Sequence, residues 1–268
     1  MKNTFKKLFI SFTVLSLTAC GSTTMQDNTF AAKENKDFTK YTNQLVVEYA
    51  ENDYTTMHQF FEHPEDYGID INNVDVSLGE FYTDNTEEIK EDQKELNKFN
   101  RSTLDKTQQT IYDELKYENE LSLKAENKKF QYLNNCWSTM SGLHQSLISV
   151  FSEYILRNEK DIQDLITLIN DVPRYTNDVL EYTKKQADKN TLQFDYDSVT
   201  QDIQDVINTK EDSSITSALY NAIDTLNLDE EKTTSYKAQV KDAMDTSFFP
   251  SYQDQESHML SLCLSLKC

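Results

Sequence analysis

Glycine and proline are scarce in this chain, with 4 Gly and 3 Pro among 268 residues. Because these two residues mark most turns, their scarcity predicts long helices. The apolar spacing agrees: Phe38, Tyr41, Leu45 and Tyr49 recur every three or four residues, the period of one helix face. We therefore predict an all-α fold, an irregular multi-helix array with one long loop near residues 64–86.

Basic residues are few, since 26 Lys and Arg face 46 Asp and Glu, a net charge of −20. Nucleic-acid binding depends on Lys and Arg that neutralise phosphates, so we expect no nucleic-acid partner. The excess acid is interpreted as a solvated surface that keeps the protein soluble. A preference for cationic ligands is the alternative.

Motifs for metal binding and catalysis are missing. The four histidines, His58, His63, His144 and His258, form no His-Glu-x-x-His motif. His58 and His63 are five residues apart, about 140° around a helix, so they cannot share a zinc ion from one helix face. Both are interpreted as ordinary polar surface residues. The chain also lacks a nucleophile elbow and a phosphate-binding glycine loop, so we expect no cofactor and assign no catalytic, cofactor-binding or metal residue.

The N-terminus has the pattern of an exported protein. A basic start is followed by the apolar run 8–19. Its length is within the roughly 7–15 residues of the apolar region of a signal peptide and is shorter than the about 20 residues that span a bilayer. Leu17-Thr18-Ala19-Cys20 resembles the lipobox of bacterial lipoproteins. We predict a signal peptide over 1–19, a lipid on Cys20 and a flexible tether over 20–36. The expected location is the extracytoplasmic face of the cell membrane, with the membrane as a partner through the N-terminal lipid. A plain secretory signal with a chance cysteine is the alternative.

The remaining chain is predicted to form one helical domain over 37–253 and an irregular tail over 254–268. Asn158 and Asp161 have the spacing of a capping box at a helix start. Pro173 is expected to break that helix and to begin a new one. Of the other cysteines, Cys136 beside Trp137 is interpreted as a small buried apolar residue.

Three segments together resemble the domain-of-unknown-function family 885, a group of bacterial, often lipid-anchored helical proteins. The first runs from Asn52 to Gly68. The second is Gly142-Leu143-His144-Gln145, followed by Tyr154 and by Asp171-Val172-Pro173-Arg174-Tyr175. The third is Phe249-Pro250-Ser251-Tyr252, so the resemblance covers roughly residues 38–253.

The resemblance implies a helical protein similar to zinc metallopeptidases, whose metal ligands lie in a second half with no counterpart after Tyr252. No metal ligand is therefore transferred to this chain. The chain is expected to be the N-terminal half of such a protein, inactive alone, with His144 and Gln145 as candidate residues of a cleft wall. On that hypothesis a missing C-terminal half is a partner, and Val240, Met244, Phe248 and Phe249 are left exposed. Two alternatives stay open: a lipoprotein that binds peptides or a partner, and an enzyme that uses carboxylates.

Replacement of Cys20 by alanine tests the predicted anchor. Labelled palmitate should enter the wild-type protein in bacterial cells and not the Cys20→Ala variant, because the thiol is the predicted acceptor. Equal labelling of the two proteins would contradict the prediction.

Overall fold

The computed structural model describes residues 33–82 and 84–266, so the predicted signal peptide, Cys20 and most of the tether lie outside the described residues. This part of the chain is all-α, as predicted, and no strand occurs in it. The helices are α1 (Lys36–Asn52), α2 (Tyr54–Phe60), α3 (Thr86–Leu96), α4 (Lys106–Ala125), α5 (Leu143–Ser152), α6 (Glu159–Asp188), α7 (Tyr196–Asn208), α8 (Ser214–Thr225), α9 (Glu230–Ala243) and α10 (Phe249–Leu266). The described residues between α2 and α3 contain only the short 3₁₀ turns Pro64–Tyr67 and Ile71–Asn73, in keeping with the predicted loop. None of these helices combines the length and apolarity needed to cross a membrane.

The chain divides into two compact units where the sequence predicts one helical domain over 37–253. Among the described residues, the first unit consists of 33–52, 63–74 and 84–131. The second consists of 53–62, 75–82 and 132–266. Each unit buries apolar side chains of its own. The division is not visible in the sequence, because helical periodicity shows which face of a helix is buried but not which helices pack together.

The first unit packs α1 against α3 and α4. Phe38 is fully buried and meets Phe99 edge to face at 5.1 Å between ring centroids. The cluster also contains Leu45, Leu96, Leu104, Tyr112 and Leu115. Gln108 joins α4 to the start of α1, because its amide accepts from Asn35 N at 2.9 Å and donates to Asn35 O at 2.8 Å. Although α1, α3 and α4 are rich in charged residues, their few apolar side chains are therefore sufficient to form a small core.

Helix α6 is the long central element of the second unit. The predicted capping box is confirmed, since the Asn158 side chain accepts from Asp161 N while the Asp161 carboxylate accepts from Asn158 N. The predicted break at Pro173 is wrong, because α6 runs without interruption from Glu159 to Asp188. A proline inside a helix costs about 3 kcal/mol or more. Burial of Ile169 and Val172 before the proline and of Thr176 and Val179 after it outweighs that cost.

Helix α9, the π-helical segment Met244–Phe248 and α10 follow one another without a loop. The π segment ends two residues before Pro250, whose ring would otherwise clash with the carbonyl four residues earlier. Helix continues to Leu266, so the expectation of an irregular tail from 254 is wrong for the described residues. The expected exposure of the preceding apolar faces is wrong as well. Exposure is 0–3% for Val240, Met244, Phe248 and Phe249.

A buried polar network attaches α2 to the start of α6 inside the second unit. His58 is 7% exposed, so its interpretation as a surface residue is wrong, whereas the His63 side chain is 65% exposed, as predicted. The His58 ring lies nearly parallel to the rings of Tyr54 and Tyr154, with centroids 5.5 and 4.4 Å away. Its Nε2 lies 2.7 Å from Ile155 O, and the Tyr54 hydroxyl donates to Asp164 Oδ2 at 2.8 Å. Because a carbonyl oxygen only accepts, Nε2 carries the proton in this contact.

Burial lowers the pKa of His58 below its ordinary value of 6.5, against the opposing effect of the Ile155 carbonyl. In the unfolded chain the imidazole recovers the ordinary pKa, so the unfolded state binds the proton first as the pH falls. The contribution of His58 is thus fully present above pH 6.5 and is lost as the pH falls from 6.5 through the folded-state pKa.

We expect the free energy of unfolding in urea to decrease from pH 7.5 to 5.5. One proton accounts for at most about 1.4 kcal/mol per pH unit. The His58→Gln variant should show a shallower dependence, whatever its absolute stability. An unchanged slope in His58→Gln would contradict this interpretation of the network.

Candidate functional site

The segment 132–142, which leads into α5, is fixed to α6 by buried polar contacts. Trp137 Nε1 donates to Thr183 Oγ1 at 2.8 Å, and Gln186 Nε2 donates to Asn134 O at 2.8 Å. Cys136 is 6% exposed, which confirms its interpretation as a buried apolar residue, and burial raises the pKa of its thiol to about 12. The segment therefore delivers the start of α5 at a fixed place.

Gly142 is the N-cap of α5, and the space around its Cα is too small for a side chain. Its φ of −70° is open to any residue. A Cβ atom, however, would lie 2.6 Å from Ser138 O and 2.9 Å from His144 Cε1. Contacts that short do not occur without movement of the backbone. The glycine thus allows the loop to close tightly over the His144 ring.

His144 is completely buried at the beginning of α5. Its ring lies nearly parallel to that of Trp137, with centroids 6.2 Å apart, and its backbone carbonyl accepts from the Tyr252 hydroxyl at 2.5 Å. Nε2 is 3.4 Å from Asp202 Oδ2, within ion-pair range but outside hydrogen-bond geometry. Neither ring nitrogen has a hydrogen-bond partner within the described part of the chain.

The electrostatics of His144 favour the neutral imidazole. Burial lowers the pKa of the ring below 6.5, and the nearby Asp202 carboxylate opposes that shift. The ring therefore does not cancel the charge of Asp202 at neutral pH.

Gln145, the next residue, faces a pocket instead of the core. Its Nε2 donates to Asp202 Oδ2 at 3.2 Å. The pocket has a volume of about 250 Å³ and opens between α5, α7 and the start of α8. Its lining includes Gln145, Ile148, Asp202, Asp205, Val206 and Ile215. His144 and Gln145, the two residues predicted as a cleft wall, thus both lie next to the Asp202 carboxylate. Of the two, only Gln145 lines the pocket. Their role in a cleft stays a prediction.

Asp202 and Asp205 are the residues of this site that the sequence analysis missed. They are three positions apart on α7, and Asp202 is 57 residues from Gln145. In a chain with 46 acidic residues such a pair carries no signal of its own.

The zinc ion that the family resemblance implies does not fit the described residues. No group of three His, Cys, Asp or Glu side chains in ranges 33–82 and 84–266 is arranged to hold a metal ion. His144 and Asp202 are only two potential ligands, and His144 has no access to solvent. We therefore derive no metal-dependent step from this site.

Residues 72–264 match the family described as "Bacterial protein of unknown function (DUF885)". No curated protein and no solved structure matches. The match includes the Gly142, Pro173 and Pro250 segments and continues past Tyr252, where no counterpart is expected from the sequence. It does not include Asn52–Gly68, taken above as part of the resemblance. Because the match covers more than half of the chain, this protein belongs to the DUF885 family.

Proposed function

We propose that this protein is a lipid-anchored binding protein on the extracytoplasmic face of the membrane, and that the pocket between α5, α7 and α8 holds a side chain of a peptide or of a partner protein. The observation that carries the proposal is the pocket itself. Ligand sites are typically concave and mostly apolar, with a few polar groups that fix orientation. Here Ile148, Val206 and Ile215 supply apolar walls, and Asp202 supplies a polar anchor.

The rigidity of the pocket also supports binding. Gln145 and His144 follow a glycine that no larger residue can replace without backbone movement, and the preceding loop is fixed to α6. A preformed wall loses little conformational entropy when a ligand enters, which favours affinity.

The family resemblance also implies a zinc metallopeptidase-like protein, of which this chain is expected to be the N-terminal half and inactive alone. A peptide-binding wall belongs to both functions, whereas cleavage by zinc additionally needs a set of metal ligands. The described residues contain no group of side chains arranged as such a set. We therefore propose binding as the function and keep zinc-dependent cleavage as an outcome that the test must detect.

The proposed anchor determines where binding takes place. A lipid on Cys20, followed by the polar tether, would hold the helical units close to the membrane surface. Peptides or partners at the cell surface are therefore the proposed ligands.

A substitution that fills the pocket tests the proposal. Ser214 lines the pocket and is exposed at the start of α8, so Ser214→Phe should occupy the pocket without disturbing the core. We expect terminally blocked tripeptides of varied central residue to bind the full chain in detergent micelles, measured by calorimetry. Ser214→Phe should weaken their binding at least tenfold.

Ser217→Phe is the matched control, because Ser217 is exposed on the same helix and does not line the pocket. It should bind like the wild type. Absence of binding by every peptide, or equal binding by Ser214→Phe, would contradict the proposed function. Cleavage of the peptides that requires added zinc would instead favour the peptidase-like alternative.

A further inference from the structure

The charge of the pocket between α5, α7 and α8 is negative and uncompensated. Among its lining residues, the only charged side chains are Asp202 and Asp205. Within the described chain, neither carboxylate has a Lys or Arg nitrogen at ion-pair distance, although many other surface carboxylates do. Each accepts instead from a neutral amide: Asp202 from Gln145 at 3.2 Å and Asp205 from Gln201 at 2.7 Å. The negative charge therefore remains available to a ligand.

A second observation comes from the buried side of the pocket. His144 is fully buried, has no hydrogen-bond partner at either ring nitrogen, and directs Nε2 toward Asp202 from 3.4 Å away. A buried polar group without a hydrogen-bond partner is costly and calls for an explanation. The Tyr252 hydroxyl donates to the backbone carbonyl of His144 and leaves the ring nitrogens without a bond from that side chain.

The shape of the pocket limits the kind of cation that fits. Ile148, Val206 and Ile215 form apolar walls beside the two carboxylates. An aliphatic stem would lie along these walls while its charged end reaches the carboxylates, as long cationic side chains do when they cover apolar surface. The ammonium group is a compact point charge with three donors, whereas a guanidinium is a broad planar fork that needs a bidentate partner. Asp202 already uses Oδ2 for Gln145, which favours the compact group.

We infer that the pocket binds a primary ammonium group on an aliphatic stem, in the form of a lysine side chain presented by a peptide or protein. This inference rests on the proposed function, because it names the ligand of the same pocket. In the bound state the ammonium group lies between Asp202 and Asp205, and the stem contacts the apolar walls.

Four blocked tripeptides that differ only in the central residue test the inference: Ac-Gly-Lys-Gly-NH₂ and its norleucine, arginine and glutamate counterparts. Norleucine keeps the stem and lacks the ammonium group. With the full chain in detergent micelles at low salt, the lysine peptide should bind at least tenfold tighter than the other three. Because the preference is electrostatic, it should decrease at high salt.

Two variants identify the anchor. Asp202→Asn keeps the shape of the side chain, removes its charge, and should reduce the preference for lysine over norleucine to less than threefold. Asp197→Asn makes the same charge change at an exposed position of α7 outside the pocket and should keep the preference. Thermal unfolding of both variants checks that they are folded.

The outcomes separate the two proposals. Equal binding of all four peptides, tighter binding of the arginine or the norleucine peptide, or a lysine preference that survives Asp202→Asn would overturn the inference while the pocket stays a binding site. Binding of none of the peptides would overturn the proposed function and the inference together.

Discussion

The second unit depends on burial of one face of α6. Three separate segments attach to this helix by buried or half-buried hydrogen bonds: α2 through Tyr54 and Asp164, the segment before α5 through Trp137 and Thr183, and the π segment through Ser247 and Asn170. Asp164 and Asn170 precede Pro173 and Thr183 follows it. A break at Pro173 would therefore move the segment bound to Thr183 away from the two segments bound before the proline. The ion pairs of Arg174 with Asp171 and Asp178 extend across the proline turn and support continuity.

Local signals in the sequence predict local structure well here. The capping box at Asn158 and Asp161 is confirmed because both partners lie within one helical turn. The prediction at Pro173 is wrong because helix continuity is determined by burial against residues far away in the chain. His58 is misinterpreted for the same reason: its stacking partner Tyr154 and its acceptor Ile155 come almost a hundred residues later.

The candidate site was predictable only in part. The family resemblance directs attention to His144 and Gln145, and the structure brings both residues to Asp202. Asp202 could not be selected from the sequence, because nothing local distinguishes it from the other acidic residues. Gly142 is part of the same signature, and the reason for it becomes visible only when the surrounding backbone is known, since its φ imposes no such requirement.

The buried, neutral imidazole of His144 lies behind the acidic pocket and leaves the charge of Asp202 uncancelled. Titration of the histidine ring nitrogens by NMR tests this arrangement most directly. His144 should titrate below 6.5, and still lower in Asp202→Asn, because the carboxylate raises the pKa that burial lowers. A His144 pKa at or above 6.5 in the wild type, or a rise in Asp202→Asn, would contradict the account.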